Sequence, residues 1–130
     1  MGEVLFAEID AREIEEQTLV EYAQSVGSHM IYIVDKELRE DHLFQKELRE
    51  GLKDYDIQLK VFTEVEIMEQ WELDEFGEDE VFLLLTSIAA TIYCVEEDLP
   101  IPFLSLGPMP LEDDKASLLA TLRFADYKPE

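Results

Sequence analysis

Asp10, Arg12, Glu15 and Glu16 crowd into the segment EIDAREIEEQ (residues 8–17), directly after the apolar run VLFA. Paired carboxylates can exchange a proton as acid and base or bind a hard cation, and an arginine among them supplies a local counter-charge. Asp35 and Glu64 join the set if the chain folds so that their turns lie together. The spacing has no likeness to an EF-hand loop, and no structural metal is expected. Neither a G-x-G-x-x-G nor a G-x-x-x-x-G-K-[ST] run occurs, so neither dinucleotide nor P-loop phosphate binding is signalled, and no cofactor is expected. His29 precedes a strand pattern and reads as fold-supporting, while His42, beside Asp41, reads as a surface or half-buried histidine. Cys94 sits in an apolar helical pattern and reads as core, since a reactive thiolate wants an exposed, electropositive setting.

These side chains need elements to position them. Residues 4–9 are almost continuously apolar, as in a strand covered on both faces, and Ile14, Thr18, Leu19, Tyr22, Ala23 and Val26 then recur at helical spacing as far as Gly27. Residues 29–34 (HMIYIV) repeat the strand signal. Leu38, Leu43, Phe44, Leu48 and Leu52 mark one face of a single second helix, whose other face carries Lys36, Arg39, Lys46, Arg49 and Lys53. Ile57, Leu59 and Val61 alternate with Gln58 and Lys60, the pattern of a third strand with one less buried face. Thr63 and Glu66 read as a capping box opening a short helix through Trp71. Residues 80–85 (EVFLLL) suit a central strand, Ser87 can cap a helix over residues 88–97, and residues 103–106 form a short fifth strand closed by Gly107 and Pro108. Residues 117–124 are expected to add a sixth strand, although their spacing also allows a helix. The alternation predicts an α/β fold: one domain over residues 1–130, built as an open, mainly parallel sheet of five to six strands with helices on both faces. Ligands in such sheets meet the loops at the carboxyl ends of the strands, here residues 10–12, 35–36, 63–64, 86–87 and 106–109.

Charge limits what those loops can bind. The chain holds 32 acidic and 10 basic residues, a formal net charge of -22, which excludes sequence-independent nucleic-acid binding through phosphate neutralisation. So much acid reads first as a solubilising surface and second as a means of selecting partners by charge. The apolar runs fall well short of a bilayer span, and the start lacks the basic-then-apolar order of a signal peptide. A cytoplasmic protein without direct membrane insertion is expected, and one cysteine forms no internal disulfide.

With its elements laid out, the chain resembles the IIB components of the mannose/fructose/sorbose family of the bacterial sugar phosphotransferase system. That family opens with a strand followed by R-I-D-D-R-L-I-H-G-Q, and here the same frame reads E-I-D-A-R-E-I-E-E-Q, keeping Ile9, Asp10, Arg12, Ile14 and Gln17. Its second strand ends in a V-x-D turn, matched by IYIVDKELRED with Asp35. Its fifth ends in N-x-G-G-M, here Ser105, Leu106, Gly107, Pro108 and Met109. The resemblance implies a phosphoryl-transfer site in which Asp10, Arg12, Gln17, Asp35 and Gly107 are binding positions. It also implies partners: a IIA component that donates the phosphoryl group and membrane IIC and IID components that carry the sugar.

The family's phosphoacceptor histidine falls at Glu15 and the following glycine at Glu16. A carboxylate does not replace an imidazole as a carrier of this type, because the family chemistry uses a neutral ring nitrogen as nucleophile and a protonated ring as leaving group in return. The resemblance therefore implies a IIB-like protein without a competent phosphoacceptor, acting in regulation or assembly. Two alternatives stand beside it: a carrier using His42 instead, and an acidic interaction module unrelated to sugar uptake. The family pattern also continues past the point where this sequence stops, which leaves self-association through an uncovered edge as a further expectation.

Overall fold

A computed structural model describes residues 2–107 of the chain. Ten elements follow one another: β1 (Glu3–Ile9), α1 (Glu16–Val26), β2 (Met30–Val34), α2 (Lys36–Glu40), α3 (His42–Lys53), β3 (Gln58–Phe62), α4 (Glu64–Asp74), β4 (Glu80–Leu85), α5 (Ile88–Glu96) and β5 (Leu104–Leu106). The strands form one sheet in the order β3-β2-β4-β1-β5, and every pairing is parallel. This is the expected open α/β sheet, with five strands among the described residues. The sixth strand expected over residues 117–124 lies outside them.

The sheet is covered on both faces, and strand alternation decides which residue faces which layer. Tyr32, Val34, Leu83 and Leu85 point to one side, where they meet Ile67 and Met68 of α4 and Ala90, Cys94 and Val95 of α5. Ile31, Ile33, Phe82 and Leu84 point to the other, against Leu19, Val20 and Ala23 of α1, Leu38 of α2, and Leu48 and Leu52 of α3. β1 breaks the period: a bulge between Val4 and Phe6 puts Val4 on the same side as Ala7 and Ile9. Chain direction follows from handedness. Crossovers by α1 and by α2 with α3 step toward β3 over one face, whereas α4 and α5 step back over the other, as right-handed connections require. The reversal sets the loops after β1 and β4 side by side with a helix leaving each in a different direction, the place where such sheets form a crevice.

The local stops and starts have visible causes. Gly27 ends α1 in the left-handed conformation, φ 67°, with its N–H bonded to α1 carbonyls. Thr63 and Glu66 form the reciprocal capping box, Glu66 N to Thr63 Oγ1 at 3.2 Å and Thr63 N to a Glu66 carboxylate oxygen at 2.9 Å. Ser87 caps α5 through Ala90 N at 3.1 Å. The single second helix expected from apolar spacing is two helices. Asp41 separates them, its carboxylate accepting from Phe44 N at 3.0 Å, so His42 begins α3 instead of lying within a longer helix.

Candidate functional site

Four of the carboxyl-end turns meet around a cleft of about 680 Å³. Arg12 from the β1–α1 turn, Asp35 and Lys36 from the start of α2, Thr63 and Glu64 from the start of α4, and Thr86 from the β4–α5 turn all line it. Its wall is more acidic than basic, because Glu13, Glu37 and Asp41 also face it while Arg12 and Lys36 are its cations.

Asp10 anchors the first turn. It is buried, and its carboxylate accepts from Arg12 N at 3.0 Å, from Arg12 Nε at 3.0 and 3.2 Å, from Arg12 Nη2 at 2.7 Å and from the Tyr22 hydroxyl at 2.7 Å. The Arg12 guanidinium holds the acid down to about 2 against the opposing effect of burial. Arg12 is pushed above its ordinary value, first by its hydrogen bonds to Asp10. Tyr22 is also raised, by burial and then by donating to Asp10. The three groups are fixed as aspartate, arginine cation and neutral phenol, and Tyr22 is held in place by a 4.8 Å ring stack on Phe82. Tyr22 was hidden in the sequence because it is a helix residue twelve positions from Asp10.

Asp35 plays a comparable part in the second turn. One carboxylate oxygen caps α2 through Leu38 N at 2.8 Å, and the other accepts from Thr86 Oγ1 at 2.7 Å, tying the end of β2 to the end of β4. Arg39 reaches from α2 to Glu66 of α4 through Nε at 2.9 Å and Nη2 at 3.1 Å, which lowers the glutamate's pKa and bridges helices on opposite faces of the sheet. Neither Thr86 nor Arg39 carries a sequence signal for these bonds.

No protein-family model and no curated protein matches the chain. Solved structures do. It is similar to manxB from Thermoanaerobacter tengcongensis, with a TM-score of 0.83 and 23% identity over 99% of this chain and 86% of that one. The N-acetylgalactosamine-specific IIB component 1 from Escherichia coli gives a TM-score of 0.84 at 16% identity, covering 97% of this chain and 90% of that one. The IIBSor domain of the sorbose permease from Klebsiella pneumoniae gives 0.81 at 16% identity, covering 98% and 86%. The fold is that of the mannose/fructose/sorbose-family IIB components.

Within this IIB fold, Glu15 occupies the residue just before α1, in extended conformation, and makes no side-chain capping bond to the helix it precedes. It is exposed, as are Glu16 and Gln17. Glu16 leans against α3, where a Cβ added to Gly51 would collide with its carboxylate. Gln17 points along α1 to Glu21 at 3.5 Å and lies outside the cleft lining, as do Glu15 and Gly107. Gly107 has a packing reason to be glycine, since a Cβ there would strike the carbonyl oxygen of Ile9 at the end of β1. Pro108 and Met109 of the same turn fall outside the described residues.

The remaining candidates lie elsewhere in the IIB fold. His29 is at the amino end of β2, with Nδ1 3.0 Å from the Asp56 carbonyl oxygen. His42 is exposed at the start of α3 and is not part of the cleft lining, although its neighbour Asp41 is. Cys94 is fully buried, and burial pushes its thiol up to about 12. Among the described residues there is no group of three or more His, Cys, Asp or Glu side chains placed to hold a metal ion, and no helix is long and apolar enough to cross a membrane.

Proposed function

We propose that this chain is a single IIB-like domain, residues 1–130, of a bacterial sugar phosphotransferase system, and that it works in the cytoplasm in regulation or assembly without carrying a phosphoryl group. The observation that carries the reading is Glu15, a carboxylate at the position preceding α1 where the family resemblance places the accepting imidazole. A carboxylate lacks the neutral ring nitrogen that attacks and the protonated ring that later leaves.

The surroundings support the same reading. An arriving phosphoryl dianion meets Glu13, Asp35 and Glu64 in the cleft wall, and Glu15 and Glu16 are exposed carboxylates of the same β1–α1 segment, while Arg12 is already joined to Asp10 at 2.7 Å. Each close like-charge contact costs on the order of 1 kcal/mol or more where water is partly excluded. The partners that fit are a IIA component and the membrane IIC and IID components, engaged through the carboxyl end of the sheet. Nucleic acid does not fit a chain of net charge -22.

Incubation with a phosphorylated IIA donor, followed by intact-mass measurement at neutral to mildly alkaline pH, tests the reading. The expected result is an unmodified chain that nonetheless binds a IIA, IIC or IID component. An acid-labile phosphoryl adduct that disappears in His42→Ala would replace this reading with an active carrier. Failure to bind any of these components would leave an acidic interaction module.

A further inference from the structure

We propose that the outer face of α4, continued by the C-terminal ends of α4 and α5, docks a cationic amphipathic helix of a partner protein. This face lies apart from the cleft, and the inference does not rest on the fate of the phosphoryl site.

The first support is that α4 is apolar on two sides. Ile67 and Met68 are buried against the sheet, yet Leu73 is 79% exposed and Val65 47% exposed. At 100° per residue Val65, Glu69, Glu72 and Leu73 share an arc of about 100° on one side of the helix, and all four are exposed. Val65 and Leu73 thus give α4 apolar contact area on its outer side in addition to the face it buries.

The second support is electrostatic. α4 and α5 pack on the same face and both run opposite to the strands, so their C-terminal ends point the same way. Those ends carry the negative pole of each helix and should be matched with cations. They carry acids instead: Glu72, Asp74 and Glu75 on α4, and Glu96, Glu97 and Asp98 on α5, with no basic residue in either last turn. No Lys, Arg or His occurs anywhere in residues 61–114. The neighbouring base, Lys60, is held by Asp79 at 3.3 Å and lies over the Tyr32 ring.

Charge complementarity and the exposed aliphatic pair together define the occupant. A helix presenting Lys or Arg beside Leu-like side chains would meet both dipole ends and cover Val65 and Leu73. A second copy of this chain does not offer that surface, because Lys46, Arg49 and Lys53 on α3 alternate with Glu47, Glu50 and Asp54.

Calorimetric titration of the full chain with a synthetic helical peptide, lysines flanking a leucine stripe, tests the proposal. Binding should weaken about tenfold in Leu73→Ser, and by a similar factor in Glu69→Lys with Glu72→Lys. It should also fall as sodium chloride rises from about 50 to about 300 mM, and a lysine–serine peptide of equal charge should bind more weakly. Leu43→Ser, which removes a 69% exposed leucine from α3, should change nothing. Absence of binding, equal affinity for the Leu73→Ser chain, or an equal loss in Leu43→Ser overturns the proposal.

Discussion

Asp10 and Arg12 are closed on one another through Nε and Nη2 of the guanidinium, at 3.0 and 2.7 Å, with the Arg12 backbone N–H on the same carboxylate at 3.0 Å. The arginine that sequence offers as a counter-charge for an incoming anion is therefore already committed to the turn that presents it.

This pair sets an acid limb in the stability curve. The folded Asp10 pKa is depressed, from 3.8 to about 2, so its stabilisation is fully present above about pH 4 and is lost as pH falls through about 2. Asp10→Asn should cost about 2 kcal/mol at neutral pH. The gap between wild type and variant should stay constant from about pH 7 to 5 and close between about pH 4 and 2. Thermal melts of both proteins across that range measure it; a constant gap down to pH 2 would refute a charge-based role for Asp10.

Self-repulsion from a net charge of -22 predicts that the melting temperature rises with sodium chloride, because the screening length falls from about 10 Å at 0.1 M to about 3 Å at 1 M. The described ion pairs are few and mostly exposed, so their loss to salt is the smaller effect. A melting temperature that falls or stays flat would mean that the acids are compensated.

The double change Glu15→His with Glu16→Gly should restore phosphorylation by a IIA donor, even if slowly, provided only the acceptor is missing. It places an imidazole just before α1 and clears the carboxylate that leans on α3 at Gly51. Glycine at the first helical position should cost about 1 kcal/mol or less. Intact-mass spectra read the phosphoryl group; a folded variant left unmodified by several donors would place the divergence in the docking surface as well.

Gly107→Ala should destabilise by about 2 kcal/mol or more, since the new Cβ meets the Ile9 carbonyl oxygen and one of the two strands must shift. Urea melts with an unchanged slope and a lower midpoint are the expected result. Wild-type stability would show that the β1–β5 contact gives way easily.

The sheet and its flanking helices were legible because each rests on a local rule: alternation in β3, the Thr63–Glu66 box, the Ser87 cap and the Gly27 stop. The break at Asp41 was not, because Leu38, Phe44, Leu48 and Leu52 keep helical phase across it, whereas Leu43, read from the sequence as part of the same apolar face, is exposed. Strand order was equally hidden: periodicity says that a strand is covered on both faces and is silent about its neighbours. The carboxyl-end turns could be named in advance, yet the bonds that fix them could not, since Tyr22 to Asp10 and Thr86 to Asp35 join residues far apart in sequence. Gln17 and Gly107, offered by a motif as binding positions, are not part of the cleft lining, and the close approach of Gly107 to the Ile9 carbonyl is a packing feature that sequence does not display.

Trp71, the single tryptophan, sits edge-on to Phe76 at 5.0 Å, and Phe76 in turn meets Tyr32 in the same manner at 4.9 Å. The molecule therefore carries one indole fluorophore beside its five tyrosines, partly buried on α4 and packed against the core of one sheet face. Excited beyond the tyrosine absorption band, its emission reports on the α4–α5 layer without any label, while the α1–α3 layer, which holds Tyr22 but no tryptophan, does not contribute. Comparing fluorescence with circular dichroism during unfolding thus separates loss of one layer from loss of the whole sheet.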